Sequence, residues 1–220
     1  MWMADKSCTP DIQFHTKMLS AEEALKRLKE GNKGFIKGDG KTQGLVNEAR
    51  RNQLVGGQEP FAIILGCSDA RVPAEIVFDQ GLGDLFVIRV AGNIVAPSQI
   101  GSIEFAAKEF GTPLVVVLGH SQCGAVAATI DDLTNTEDNY SRSLHSIVDR
   151  IRPAVEPLIG TPECSDPEEL LMEAVRANIR ASVKKLRNGS PILDELQQHG
   201  LQIVGAKYSL KRGIVEFLDE

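Results

Sequence analysis

Two cysteines and one histidine stand where the chain leaves predicted buried strands. Cys67 directly follows the apolar run 61–66, His120 directly follows the apolar run 114–119, and Cys123 comes three residues later. The carboxyl ends of neighbouring parallel strands meet at one edge of a sheet, so residues far apart in sequence can bind one ion there. Two thiolates and one imidazole suit zinc, and three protein ligands leave a fourth position for water or a carboxylate. The spacing therefore predicts a zinc site of the catalytic type.

A carboxylate with its own cation lies beside the first cysteine. Asp69 and Arg71 follow Cys67 at alternate positions in the predicted strand-end loop. We expect Asp69 to accept a hydrogen bond from water at the metal and to orient it. Arg71 would hold Asp69 by a paired, charge-assisted contact. Without that contact Asp69 is a possible fourth ligand of the metal, in a closed state of the site.

The remaining cysteines and histidines have no such neighbours. Four cysteines in 220 residues are too few for a disulfide scaffold. Cys8 lies in a polar terminus and Cys164 in a loop of proline and acidic residues, so we expect both to be structural. We expect His15, His145 and His199 to face solvent.

Strands and helices alternate along the part of the chain that must position these residues. Apolar runs without polar alternation predict three strands buried on both faces, at 61–65, 85–90 and 114–118. Helical segments stand between and after these runs, at 97–110, 123–130, 166–189 and 191–198, and a last strand is predicted at 201–206 before the C-terminal segment 213–217. The pattern predicts an α/β fold, a single domain with a central, mostly parallel β-sheet flanked by helices.

An N-terminal helical arm is expected to precede this sheet. Ser20 and Glu23 form a capping box, and apolar residues at helical spacing continue the helix over 20–37. We therefore divide the chain into an N-terminal helical arm, 1–40, and an α/β zinc-dependent catalytic domain, 41–220. The polar, glycine-rich stretch 38–57 fits either a wrapping connection or a short helix.

Composition limits the partners of the chain. It is 42% hydrophobic and 25% charged, as expected of an ordinary globular domain, and no apolar run is long enough to cross a membrane. The formal net charge of −6 argues against nucleic acid or an anionic membrane as a partner. The first fifteen residues contain no apolar run of secretory length, so a cytoplasmic location is expected, with a leader removed upstream of Met1 left open.

Three segments at the predicted strand ends resemble the β class of carbonic anhydrases. They are Cys67–Pro73, Gly83–Asn93 and Gly119–Gly124. The resemblance implies a zinc lyase that reversibly hydrates carbon dioxide to bicarbonate and a proton. It also implies that Cys67, His120 and Cys123 bind zinc and that Asp69 and Arg71 form a catalytic dyad. Zinc lowers the pKa of bound water, so hydroxide is available near neutrality to attack carbon dioxide.

The same resemblance implies a substrate pocket and an oligomer. Gln58 matches a glutamine that donates a hydrogen bond to substrate across a subunit boundary, so a homodimer or homotetramer is expected. Phe86 and Ala91 match positions that line the carbon dioxide pocket, although the family often has valine at the place of Ala91. Phe86 could instead be an ordinary strand residue of the core. Gly124, which ends the third similar segment, is counted with the substrate-binding positions.

Ile64 marks a departure from some bacterial members of this family. They have a tryptophan at that place, which forms a non-catalytic bicarbonate pocket together with an arginine matching Arg89. Because the aromatic residue is missing here, we expect the pocket to lack one wall. Asp69 should then stay on Arg71 at neutral pH.

Two other functions fit the same residues. Relatives that hydrolyse carbonyl sulfide or carbon disulfide carry the same zinc set, although the Ser-Asp-Ala-Arg loop at 68–71 favours the anhydrase. A non-catalytic zinc or redox-sensing module would use Cys67 and Cys123 as a switch. Such a module would have no need of Asp69, Arg71 and Gln58.

Overall fold

The computed structural model describes residues 19–40, 46–135 and 140–218, which form strands and helices in the predicted alternation. The strands are β1 (Ala62–Gly66), β2 (Leu85–Arg89), β3 (Leu114–His120), β4 (Gln202–Tyr208) and β5 (Val215–Leu218). The helices are α1 (Ala21–Lys37), α2 (Glu48–Leu54), α3 (Ala74–Val77), α4 (Pro97–Glu109), α5 (Gly124–Thr134), α6 (Arg142–Val155), α7 (Pro167–Asn188) and α8 (Pro191–Gln198).

The five strands form one sheet in the order β2-β1-β3-β4-β5. The first four run parallel, and β5 pairs antiparallel with β4. The predicted α/β fold with a mostly parallel sheet is therefore confirmed. Gly66 of β1 lies opposite Leu118 of β3, so both strands end at the same edge of the sheet.

Burial along the strands follows their place in the sheet. Every residue of β1 and β3 is buried, as their continuous apolar runs predict. In β2 only Leu85 is buried, and Arg89 at its end is exposed. The expectation that β2 is buried on both faces is wrong within one chain, because β2 is an edge strand with a single neighbour.

Helices cover both faces of the sheet. Ile63, Leu65 and Val117 face a large apolar cluster that includes buried residues of α4 to α8. Ile64 and Val116 point to the opposite face, where buried residues of α1 and α3 complete a second cluster. The alternation follows from the two-residue period of a strand, and it gives the sheet an apolar layer on each side.

The predicted N-terminal helix is confirmed as α1. Ser20 caps it, with the reciprocal Glu23 bond of a capping box, and Gly38 ends it in the left-handed region at φ 74°. Its inner face includes Leu28 and Asn32, and the Asn32 amide group bonds to the backbone near α3 and β5. Division of the chain at residue 40 stays a prediction.

The structure decides one open element and adds two helices that were not predicted, α3 and α6. The stretch 38–57 contains the short helix α2, capped by the Asn47 side chain. The sequence analysis did not anticipate α6, which carries Pro153 in its last turns yet buries Val148 and Ile151. Within the described ranges, no helix combines the length and apolar character needed to cross a bilayer.

Candidate functional site

Cys67 is held at the edge of the sheet by backbone groups and by Arg89. The residue follows β1 directly and is buried. Arg89 donates from Nε to the Cys67 carbonyl at 3.0 Å and from Nη2 to the Asp69 carbonyl at 2.6 Å. The Gly92 N–H donates to Cys67 Sγ over 3.4 Å. The thiol and its loop therefore have fixed positions.

His120 and Cys123 are brought to the same edge by the end of β3. His120 is the last residue of that strand and is fully buried. Its Nδ1 lies 2.9 Å from the Ser121 carbonyl, so Nδ1 carries the proton and Nε2 is free to bind a metal. Gln122 turns the chain in the left-handed region at φ 57°, and Cys123 then occupies the N-cap position of α5, with no capping bond from its side chain.

The three side chains converge as the sequence predicts. Ligand atoms of Cys67, His120 and Cys123 all lie within 4.8 Å of one another, and all three residues are buried. Among the residues described, His120 Nε2 is one of two buried side-chain nitrogen or oxygen atoms without a hydrogen-bond partner. A buried imidazole nitrogen left unpaired beside two thiols fits a zinc site, because the ion would satisfy all three groups.

The two thiols titrate together. The hydrogen bond between them lowers the pKa of Cys67 to about 4 and raises the pKa of Cys123, since one proton is shared by the pair. Burial alone would lower the pKa of His120, but the nearby Cys67, with smaller contributions from other groups, outweighs burial and the pKa is raised. A metal ion would displace the proton that the two thiols share, because metals are bound by thiolates.

Asp69 and Arg71 form the predicted pair beside this group. Arg71 donates from Nε to Asp69 Oδ1 at 2.9 Å and from Nη2 to Oδ2 at 2.7 Å, and the Arg71 backbone N–H donates to Oδ1 at 3.0 Å. These bonds hold the pKa of Asp69 well below its usual range. Asp69 Oδ2 lies 3.8 Å from His120 Nε2, so the carboxylate borders the metal-binding group.

The residues assigned to substrate binding are spread around the sheet. Gln58 is exposed and precedes the amino end of β1, whereas Cys67 follows its carboxyl end, roughly 16 Å of strand away. Phe86 is half-buried in β2, with its ring 6.4 Å from Phe105. Ala91 lies in the turn that carries Gly92, and Gly124 is the exposed first residue of α5. One chain brings Ala91 and Gly124 near the metal-binding group but leaves Gln58 at the far end.

The other cysteines and histidines fall outside the cluster. Cys164 is a buried free cysteine, as expected of a structural residue, and His199 is exposed. His145 is half-buried with its ring edge-to-face to Tyr140 at 6.2 Å, so the expectation that it faces solvent is wrong. Cys8 and His15 lie outside the described residues.

Two groups that bond to Cys67 and its loop, the Arg89 side chain and the Gly92 N–H, were not predicted as part of the site. Arg89 was assigned only to a second pocket, yet it bonds the loop that carries Cys67 and Asp69. The Gly92 N–H is a backbone group, and because nearly every residue has a backbone N–H, its role cannot be predicted from the residue type. The positively charged end of β2 next to an otherwise apolar strand was the available signal for Arg89.

Comparison with known proteins agrees with this geometry. The family model described as carbonic anhydrase matches residues 62–215. A carbonic anhydrase of Mycolicibacterium smegmatis is 39% identical over 196 residues, covering 88% of this chain and 91% of the relative. Carbonic anhydrase 2 of Mycobacterium tuberculosis is 38% identical over 193 residues, covering 86% and 89%.

Solved structures share the fold as well. The β-carbonic anhydrase CafA of Aspergillus fumigatus aligns with a TM-score of 0.69 at 27% identity, over 77% of this chain and 80% of that one. A tetrameric β-carbonic anhydrase of Sordaria macrospora also aligns at 0.69, with 26% identity over 79% and 88% of the two chains. The family model matches most of this chain, and a buried Cys-His-Cys group lies at the strand ends. The chain therefore belongs to the β class of carbonic anhydrases.

Proposed function

We propose that this carbonic anhydrase hydrates carbon dioxide reversibly to bicarbonate and a proton at a zinc ion bound by Cys67, His120 and Cys123. The observation that carries the proposal is the convergence of these three buried ligand atoms within 4.8 Å, with His120 Nε2 unpaired. Zinc, when bound, supplies the Lewis acidity that makes water a nucleophile near neutral pH.

Asp69 has the role of orienting the reacting water. Its lowered pKa keeps the carboxylate ionised at neutral pH, so Asp69 accepts a hydrogen bond from water and does not store the proton that the reaction releases. Arg71 occupies both carboxylate oxygens from the side, through bonds of 2.9 and 2.7 Å. Those bonds keep Asp69 from closing the site as a fourth ligand.

The substrate pocket is proposed to need a second chain. Gln58 lies on the far side of β1 from its own cluster, and edge strand β2 leaves Phe86 half-exposed in a single chain. A homodimer paired along this edge would cover Phe86 and could bring Gln58 to the partner's site, with Ala91 and Gly124 completing the pocket. Light scattering on the purified protein tests this, and an active monomer at micromolar concentration would contradict it.

Location in the cytoplasm is part of the same proposal. Cys67, Cys123 and Cys164 form no disulfide, and two of them serve as metal ligands in the proposal, which fits a reducing compartment.

Zinc content and carbon dioxide hydration, measured on one preparation, test the central proposal. We expect about one zinc per chain, and expect Cys67→Ser and His120→Ala to lose metal and activity together. Cys164→Ser is the matched control, because Cys164 is also buried but lies outside the cluster, and it should keep both. Full zinc occupancy in either ligand variant, or faster hydrolysis of carbonyl sulfide than hydration of carbon dioxide, would refute the proposal.

A further inference from the structure

Two polar side chains interrupt the apolar face of α7. The buried stripe of this helix includes Val175, Ile179 and Leu186, but Asn178 and Ser182 stand within it at 2% and 5% exposure. Burying an amide or hydroxyl group costs free energy unless it is hydrogen-bonded. The hydrogen-bond partners of Asn178 and Ser182 therefore explain why these polar residues are buried in α7.

Both side chains bond to the same three-residue turn, 91–93. Asn178 donates from Nδ2 to the Gly92 carbonyl at 2.8 Å, and Ser182 donates from Oγ to the Asn93 carbonyl at 3.3 Å. The two residues are one helical turn apart, so they contact the turn from one direction. The α7 helix thus fixes two successive carbonyls of this turn.

The other side of the turn is closed by packing. Gly92 has φ 67°, and a Cβ placed on it would lie 2.7 Å from Ile151 Cδ1 and 3.0 Å from Ala125 Cβ. The turn therefore fits between α7 and the helices α5 and α6. On this turn the Gly92 N–H donates to Cys67 Sγ over 3.4 Å.

We propose that Asn178, assisted by Ser182, is a positioning residue for the Cys67 thiolate, acting through the backbone of Gly92. The Gly92 carbonyl, in the peptide that leads to Asn93, accepts the Asn178 bond, and the Gly92 N–H, in the peptide that comes from Ala91, donates to the sulfur. Because packing holds the Gly92 backbone between these two peptides at φ 67°, the Asn178 bond also fixes the direction of the donor. A hydrogen bond to a ligand sulfur withdraws electron density from it and holds it in place, and such outer contacts tune metal affinity. The inference rests on the proposed zinc site.

Asn178→Ala removes the contact to the turn while leaving all three ligands intact. We expect zinc affinity, measured by competition with a chelator, to fall about tenfold. In the cobalt-substituted protein, the thiolate-to-cobalt absorption band should move to longer wavelength, because a sulfur without its hydrogen bond is richer in electrons. Ser182→Ala should produce smaller changes in the same direction, and it carries the test if Asn178→Ala does not fold.

Asn32→Ala is the matched control. Asn32 is likewise a buried helical asparagine, with bonds to Val77, Gly213 and Val215, but it is on α1 away from the cluster. It should lower stability without changing zinc affinity or the cobalt band. If the unaltered protein binds zinc and both α7 variants match it in affinity and absorption, this inference is overturned alone. If the unaltered protein binds no zinc, the proposed function fails and this inference fails with it.

Discussion

The side chain of Ile179 fits against two glycines of adjacent strands, and this contact gives a quantitative prediction. A Cβ on Gly119 would lie 2.6 Å from both Cγ1 and Cδ1 of Ile179, and one on Gly205 would lie 2.8 Å from Cγ2. Ile179 is fully buried, so it has little room to withdraw. Gly119→Ala should therefore lower the free energy of unfolding by about 1–3 kcal/mol, the usual cost of overpacking a core.

A double variant separates this clash from other effects of the substitution. Ile179→Ala alone should cost about 2–5 kcal/mol, because it leaves a cavity. In the double variant the new methyl group of residue 119 occupies part of the space vacated by Ile179. The loss should therefore be smaller than the sum of the two single losses, by about 0.5–3 kcal/mol.

Urea unfolding followed by circular dichroism measures all three values, with Gly101→Ala as control. Gly101 lies in α4, and a Cβ there meets no heavy atom within 4 Å. Alanine at this exposed helical position should raise stability by about 0.5–1 kcal/mol. Additive losses for Gly119 and Ile179, or a Gly119→Ala protein as stable as the unaltered one, would refute the packing argument.

Three further predictions concern charge, the N-terminal helix and pH. The pKa of Asp69 in the folded protein lies below its unfolded value of about 4, so the contribution of Asp69 to stability is present above that pH and is lost as pH falls through the folded pKa. Arg71→Leu should flatten this acid dependence in urea titrations, and an unchanged profile would contradict the pairing. Gly31→Ala would place a Cβ 1.8 Å from the Phe78 carbonyl oxygen, so amide exchange in α1 should accelerate, and normal protection would show that α1 can shift without cost. Because two thiolates offset the charge of zinc, the hydration rate should climb over roughly pH 7 to 9, and a flat profile would count against thiolate ligation.

The metal-binding group could be predicted because its position depends on short-range features. Each of Cys67 and His120 follows a short apolar run that is typical of a buried strand, and parallel strands end at one edge of the sheet. Cys123 lies three residues after His120, which places it next to the same strand end. The Asp69–Arg71 pair was predictable for the same reason, since both residues share one loop.

Other features depend on contacts between distant parts of the chain. The exposure of β2 follows from strand order, which local hydrophobicity does not encode. The bonds of Asn178 and Ser182 join residues more than eighty positions apart, and the sequence of a helix does not indicate which distant group a polar side chain will bond. Helix α6 was not predicted; it contains Pro153, which lacks a backbone donor, although the position of Pro153 near the end of the helix limits the effect.

Strand order also decides when a growing chain can acquire its metal. β1 and β3 are neighbours in the sheet, but β2 and α4 lie between them in sequence. During synthesis, Cys67 emerges well before His120 and Cys123, and it stays an isolated thiol until β3 pairs with β1. The three ligands come together only with that pairing, so the proposed metal site would bind its ion after β1 and β3 have paired, and no local segment of the nascent chain could bind it alone.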